Sequence, residues 1–130
     1  MAWDNRFNSQ NKASQVNLPK ITLDYKADPN LFDKTAKETA EKIQTSQSQM
    51  RNFYDYVLNL CDKAEKEDFS EILPFVKMLN SKVAYAHGRG NVKGEFKAMI
   101  ETCVSQVGNK ENLKCFKLFF EAVLGFSKRK

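Results

Sequence analysis

"SQSQMRNFYDYVLNLCDKA", residues 46–64, decides the fold class. Met50, Phe53, Tyr54, Val57, Cys61 and Ala64 recur at steps of three and four, which a helix gathers into a single apolar stripe. Ser46 or Ser48 supplies the hydroxyl that such a helix wants at its start.

The same grammar extends in both directions. Upstream, Asp28 and Pro29 read as an N-cap followed by proline at the first helical position, with Phe32, Ala36, Thr39, Ala40 and Ile43 as the inner face. Downstream, Pro74 sets the start of a third helix between Ser70 and Pro74, because a proline deep in a helix clashes with a preceding carbonyl. Val76, Leu79, Val83 and Ala86 form its apolar side, and Gly88 suits a left-handed cap. Asn91 is expected to cap a fourth helix carrying Val92, Phe96, Met99, Ile100, Cys103, Val104 and Val107. Asn109 or Asn112 opens a fifth, with Leu113, Phe116, Phe119, Phe120, Val123 and Leu124 inward. The chain therefore reads as all-α, a compact bundle of about five amphipathic helices over residues 29–130, preceded by a partly disordered arm at residues 1–28. No strand alternates with these helices and no solenoid period appears.

The totals agree with one domain of 130 residues. Lysine and arginine exceed aspartate and glutamate by 21 to 16, a +5 balance that modestly favours a polyanionic partner and is weak for a stand-alone RNA binder. No apolar run approaches the roughly 20 residues needed to cross a bilayer, and "MAWDNRFNSQNKASQ" has no signal-peptide core. A cytoplasmic protein without a membrane partner is expected. Cys61, Cys103 and Cys115 form an odd set within apolar segments and read as buried, reduced thiols.

Chemistry-bearing residues are few. The only histidine is His87, and no C-x-x-C or H-E-x-x-H spacing occurs, so neither a metal nor a cofactor is expected. "HGRGNVKG", residues 87–94, has three glycines but lacks the phosphate-loop pattern and follows no strand. Lys82 and Arg89 share one side of the third helix if its last turn persists, and Lys93 begins the next helix. Glycines and free helical N–H groups at this corner suit a phosphodiester backbone. Alternatively, the cations simply complement the negative end of the third helix. Arg51 carries the same ambiguity, as a phosphate contact or as a partner of Asp55, while Phe53 and Tyr54 are assigned to the core.

Taken in order, "SQMRNFYDYV", "KVAYAHGRG" and "FKLFFEAVLGFSK" resemble the small subunit of the type III-A CRISPR effector, the Csm complex. That family has an S/T-Q-x-R-x-F-Y segment opening one helix, an A-Y-A-x-G-R segment ending another and a phenylalanine-rich last helix. Ser81 stands where the family often has proline. The resemblance implies a non-catalytic, RNA-binding helical subunit that stacks in copies along guide RNA and target RNA beside the large subunit and the backbone subunits. Carried onto this sequence, the matching polar positions are Gln49, Arg51, Lys82, Gly88 and Arg89, to which the residue reading adds Lys93. The alternative is a packing subunit that binds neighbouring proteins and has little RNA affinity of its own. A hydrolytic enzyme working through His87 is the remaining possibility.

Overall fold

A computed structural model describes residues 17–127. The readings placed on residues 1–16, and residues 128–130 at the other end of the helical domain, lie outside the described residues. Five helices follow one another, with no strand among the described residues. The first, α1, begins as a π-helical turn at Leu31–Thr35 and continues as Ala36–Ile43. Then come α2 (Gln47–Ala64), α3 (Phe69–Gly88), α4 (Gly94–Ser105) and α5 (Lys110–Ser127).

The helix ends show where local chemistry departs from the sequence reading. Pro29 lies in the turn before α1, not at its first position. The Asp28 carboxylate instead accepts from the Asn30 N–H at 3.0 Å and the Thr35 hydroxyl at 3.1 Å, which widens the first turn until Thr35 N–H reaches the Asn30 carbonyl. Ser46 caps α2 as expected, accepting from the Gln49 N–H at 3.2 Å. Helix α3 starts at Phe69, earlier than expected, and takes Pro74 into its body. Pro74 is exposed, so water can serve the Ser70 carbonyl that the missing N–H leaves open.

Gly88 is not the left-handed cap. It is the last residue of α3, Arg89 follows with φ −89°, and Gly90 carries the positive φ of 81°. The Gly90 N–H bonds the His87 carbonyl at 2.9 Å and the Asn91 N–H bonds the Ala86 carbonyl at 2.9 Å, which together form a Schellman end. Asn91 is thereby spent on closing α3, and Val92 is buried. The cap of α4 falls to Lys93, whose N–H donates to Thr45 Oγ1 at 3.0 Å. Asn109 caps α5 by accepting from the Asn112 N–H at 2.8 Å, and the Asn112 side chain accepts from Gly108 N–H at 3.1 Å.

The predicted stripes form the core. Phe53 of α2 meets Phe96 of α4 edge-on at 5.4 Å, Phe96 meets Phe120 of α5 at 6.0 Å, and Tyr54 meets Phe120 at 5.6 Å. Helix α5 packs on α1 and α2, while α3 lies against α2 and α4. Residues 17–28, which have no helical period, also reach the core through Ile21 and Leu23, both buried. Gln106 holds this segment from both sides. Its Oε1 accepts from Leu23 N–H and its Nε2 donates to the Ile21 carbonyl, each at 2.7 Å, imitating the pair of bonds a neighbouring strand would make.

Candidate nucleic-acid interface

Three chain corners meet at one end of the bundle. The Lys93–Thr45 hydrogen bond joins the α3–α4 link to the α1–α2 link, and Gln47 Nε2 donates to the Leu124 carbonyl near the end of α5 at 3.1 Å. Gln49 stands on the first turn of α2, and Lys82, Gly88 and Arg89 on the last turns of α3.

Between α2 and α3 runs a cleft of about 280 Å³ with Gln49 and Asn52 on one wall and Lys82 and Tyr85 on the other. Tyr56 also lines it. Lys82 Nζ lies 5.1 Å from the centre of the Tyr56 ring, whose hydroxyl donates to the Phe75 carbonyl at 2.8 Å. Burial holds the Tyr56 phenol above its ordinary pKa. Arg89 donates from Nη1 to the Tyr85 hydroxyl at 3.1 Å, with its guanidinium carbon 5.6 Å from that ring's centre. Helical geometry puts Lys82 and Arg89 within about 20° of one another in azimuth, because the last turn of α3 does persist.

These cations meet no carboxylate among the described residues. Among the described residues the ion pairs are Lys97–Glu101 at 2.9 Å and Lys110–Glu65 at 3.7 Å, so Lys82, Arg89 and Lys93 keep their charge uncompensated at contact range. At Gly88 an added Cβ would meet nothing within 4 Å, so its neighbours in the fold do not require a glycine there. Gln49 and Lys82 thus share the cleft, with Arg89 held against its Tyr85 wall, while Gly88 ends α3 and Lys93 stands across the α3–α4 link.

Arg51 does not join them. Two residues beyond Gln49, it projects about 200° away around α2. Its charge acts instead on Tyr54, whose phenol is raised first by burial and then by the Glu121 carboxylate, with Arg51 opposing. No Arg51–Asp55 ion pair forms among the described residues. Tyr56, Tyr85 and Asn52 were absent from the sequence-based site. The signal for Tyr85 was present in a second stripe on α3, since Phe75, Met78, Lys82, Tyr85 and Arg89 also step by three and four, and all five are exposed.

Other features offer less. A second cleft, about 630 Å³, is lined by Tyr25, Phe32, Cys61 and Leu113, with Lys110, Lys114 and Lys117 offset by Asp62, Glu65 and Glu111. Cys61 is half-buried and pushed up to about 11 by burial, and burial raises Cys103 and Cys115 as well, so all three stay protonated at neutral pH and make poor nucleophiles. His87 is exposed. Among the described residues no three His, Cys, Asp or Glu side chains gather at metal-binding range, and no helix is long and apolar enough to cross a membrane.

No curated protein and no solved structure matches the chain. The family model for Csm2 Type III-A, however, matches residues 26–130, a span that takes in all five helices, the cleft and the α3–α4 corner. With that match the order of the three sequence segments and their placement on α2, α3 and α5 have one explanation: the chain belongs to the Csm2 Type III-A family, the small subunit of the type III-A Csm complex.

Proposed function

We propose that this subunit binds RNA without cutting it, gripping the sugar-phosphate backbone through Lys82, Arg89 and Lys93 with Gln49 and Gly88 beside them. Copies stack along guide RNA and target RNA in the cytoplasm, next to the large subunit and the backbone subunits. The observation that carries this reading is the set of three cations around the α3–α4 corner with no carboxylate of the described residues in contact. Such charges release counterions when they meet phosphate, so binding is indifferent to base identity and weakens as salt rises.

Lys82→Ala with Arg89→Ala tests it. Both side chains are exposed and lie off the apolar stripe, so helical circular dichroism should be unchanged. Removing two phosphate contacts should flatten the slope of log affinity against log salt by roughly 1.4 on single-stranded RNA. An unchanged slope in the assembled effector rules the assignment out.

A second reading has its own support. Phe75 and Met78 are 52% and 46% exposed on the same face of α3, apolar surface that suits a protein neighbour. In that case the isolated chain shows no gel shift with RNA yet still assembles with the other subunits.

A further inference from the structure

The cleft between α2 and α3 contains more than phosphate requires. Phosphate oxygens ask for N–H donors and positive charge, which Lys82 provides from the wall and Arg89 from beside Tyr85. They have no use for aromatic rings or for the acceptor oxygens that two primary amides also carry, yet Tyr56, Tyr85, Gln49 and Asn52 converge there. Tyr85 is 67% exposed, the most exposed of the large hydrophobic side chains among the described residues. It is held in that position, since Arg89 both covers it and donates to its hydroxyl. With the guanidinium on one side and two-thirds of the residue in water, a face of the ring stays open.

We infer that this cleft receives one unstacked nucleobase of single-stranded RNA, with Tyr85 as the stacking platform. The inference rests on the RNA-binding reading above and adds the group that enters the cleft. Three properties select a base over other occupants. At about 280 Å³ the space falls just below the range of pockets that enclose a drug-sized molecule, so it suits a single ring system. The Gln49 and Asn52 amides each offer both donors and an acceptor, as a base edge demands, and among the described residues no carboxylate lines the cleft to repel the attached phosphate. Lys82 and Arg89 stand beside the two rings, where the phosphates flanking a stacked base would lie. Because every base has a π face, the subsite tolerates any sequence.

The test uses the full-length chain and the assembled effector, each titrated with single-stranded RNAs carrying 2-aminopurine at one position in turn. Binding should quench the fluorophore at particular positions. Tyr85→Ala should abolish that quench and weaken affinity about 5- to 150-fold, the range of one lost base–aromatic stack. The salt slope should be unchanged, because no cation is removed. Tyr85→Phe and Tyr85→Trp should retain quench and affinity, which a purely structural role for the hydroxyl would not allow. If Tyr85→Ala binds and quenches as the parent does while Lys82→Ala with Arg89→Ala still flattens the slope, the base subsite is overturned and the phosphate reading survives. If Tyr85→Ala keeps full RNA affinity but loses the other effector subunits, the ring belongs to a protein face and the inference is again overturned. Absence of salt-dependent RNA binding by the parent chain and by the effector overturns both readings.

Discussion

Two glycines only two residues apart illustrate how much depends on a single backbone angle. Gly90 occupies the left-handed region, where an L side chain crowds its own carbonyl, so Gly90→Ala should cost about 1–2 kcal/mol and lower the melting temperature. Gly88 is helical with open space around it, so Gly88→Ala should raise stability by up to about 1 kcal/mol. The added methyl would nevertheless stand between α3 and an approaching phosphate, so the same variant is expected to bind RNA less tightly in a gel shift. A Gly88→Ala protein that gains stability and loses no affinity would remove Gly88 from the proposed contact. Sequence alone identified this pair as a helix end but placed the left-handed residue two positions early. The hydrogen bonds that choose between them run back to Ala86 and His87 and depend on Val92 finding a buried seat, which is a tertiary matter.

At the scale of the element, the least expected device is Gln106. Periodicity cannot reveal it, because residues 17–28 have no period and the glutamine sits at the end of α4 like any polar residue. Only the fold brings positions 83 and 85 residues apart into contact. Gln106→Ala should leave two partly buried backbone groups without partners, at a cost of about 1–3 kcal/mol, and should speed hydrogen exchange at the Leu23 amide. Gln106→Glu keeps an acceptor for Leu23 but has no donor for the Ile21 carbonyl, so it should not restore the parent stability. Equal exchange at Leu23 in all three proteins would show that Ile21 and Leu23 hold the segment unaided. Helix α3 carries a different lesson. Its inner stripe at Ile72, Val76, Leu79, Val83 and Ala86 was largely legible, whereas its outer one was masked by reading Lys82 and Arg89 as charges without the rings between and beside them.

For the molecule as a whole, stripe spacing was sufficient to give five helices and most of the core, because burial acts on a face and a face is a local property. Which faces meet is not local. Spacing within α2 already sets Arg51 opposite Gln49, but the approach of Gln49 to Lys82 and Tyr85 follows from how α2 turns against α3, which no spacing within one helix encodes. The buried thiols give the assembly a testable pH response. Their folded pKa values exceed those of the unfolded chain, so they contribute fully below the ordinary thiol value, and the contribution is lost as pH rises through the folded values, near 11 for Cys61. Chemical melts should therefore be flat from about pH 6 to 8 and decline above about pH 9, with Tyr54 and Tyr56 steepening the loss still higher. A constant midpoint up to pH 10.5 would contradict the burial of these groups.

Gln106 has a practical corollary. Trimming the polypeptide to residue 26, where the family match starts, would delete Ile21 and Leu23 and bare the greasy seat they occupy. Such a shortened version should clump at concentrations the longer one tolerates, making the stretch ahead of the recognised family region a working part of the molecule.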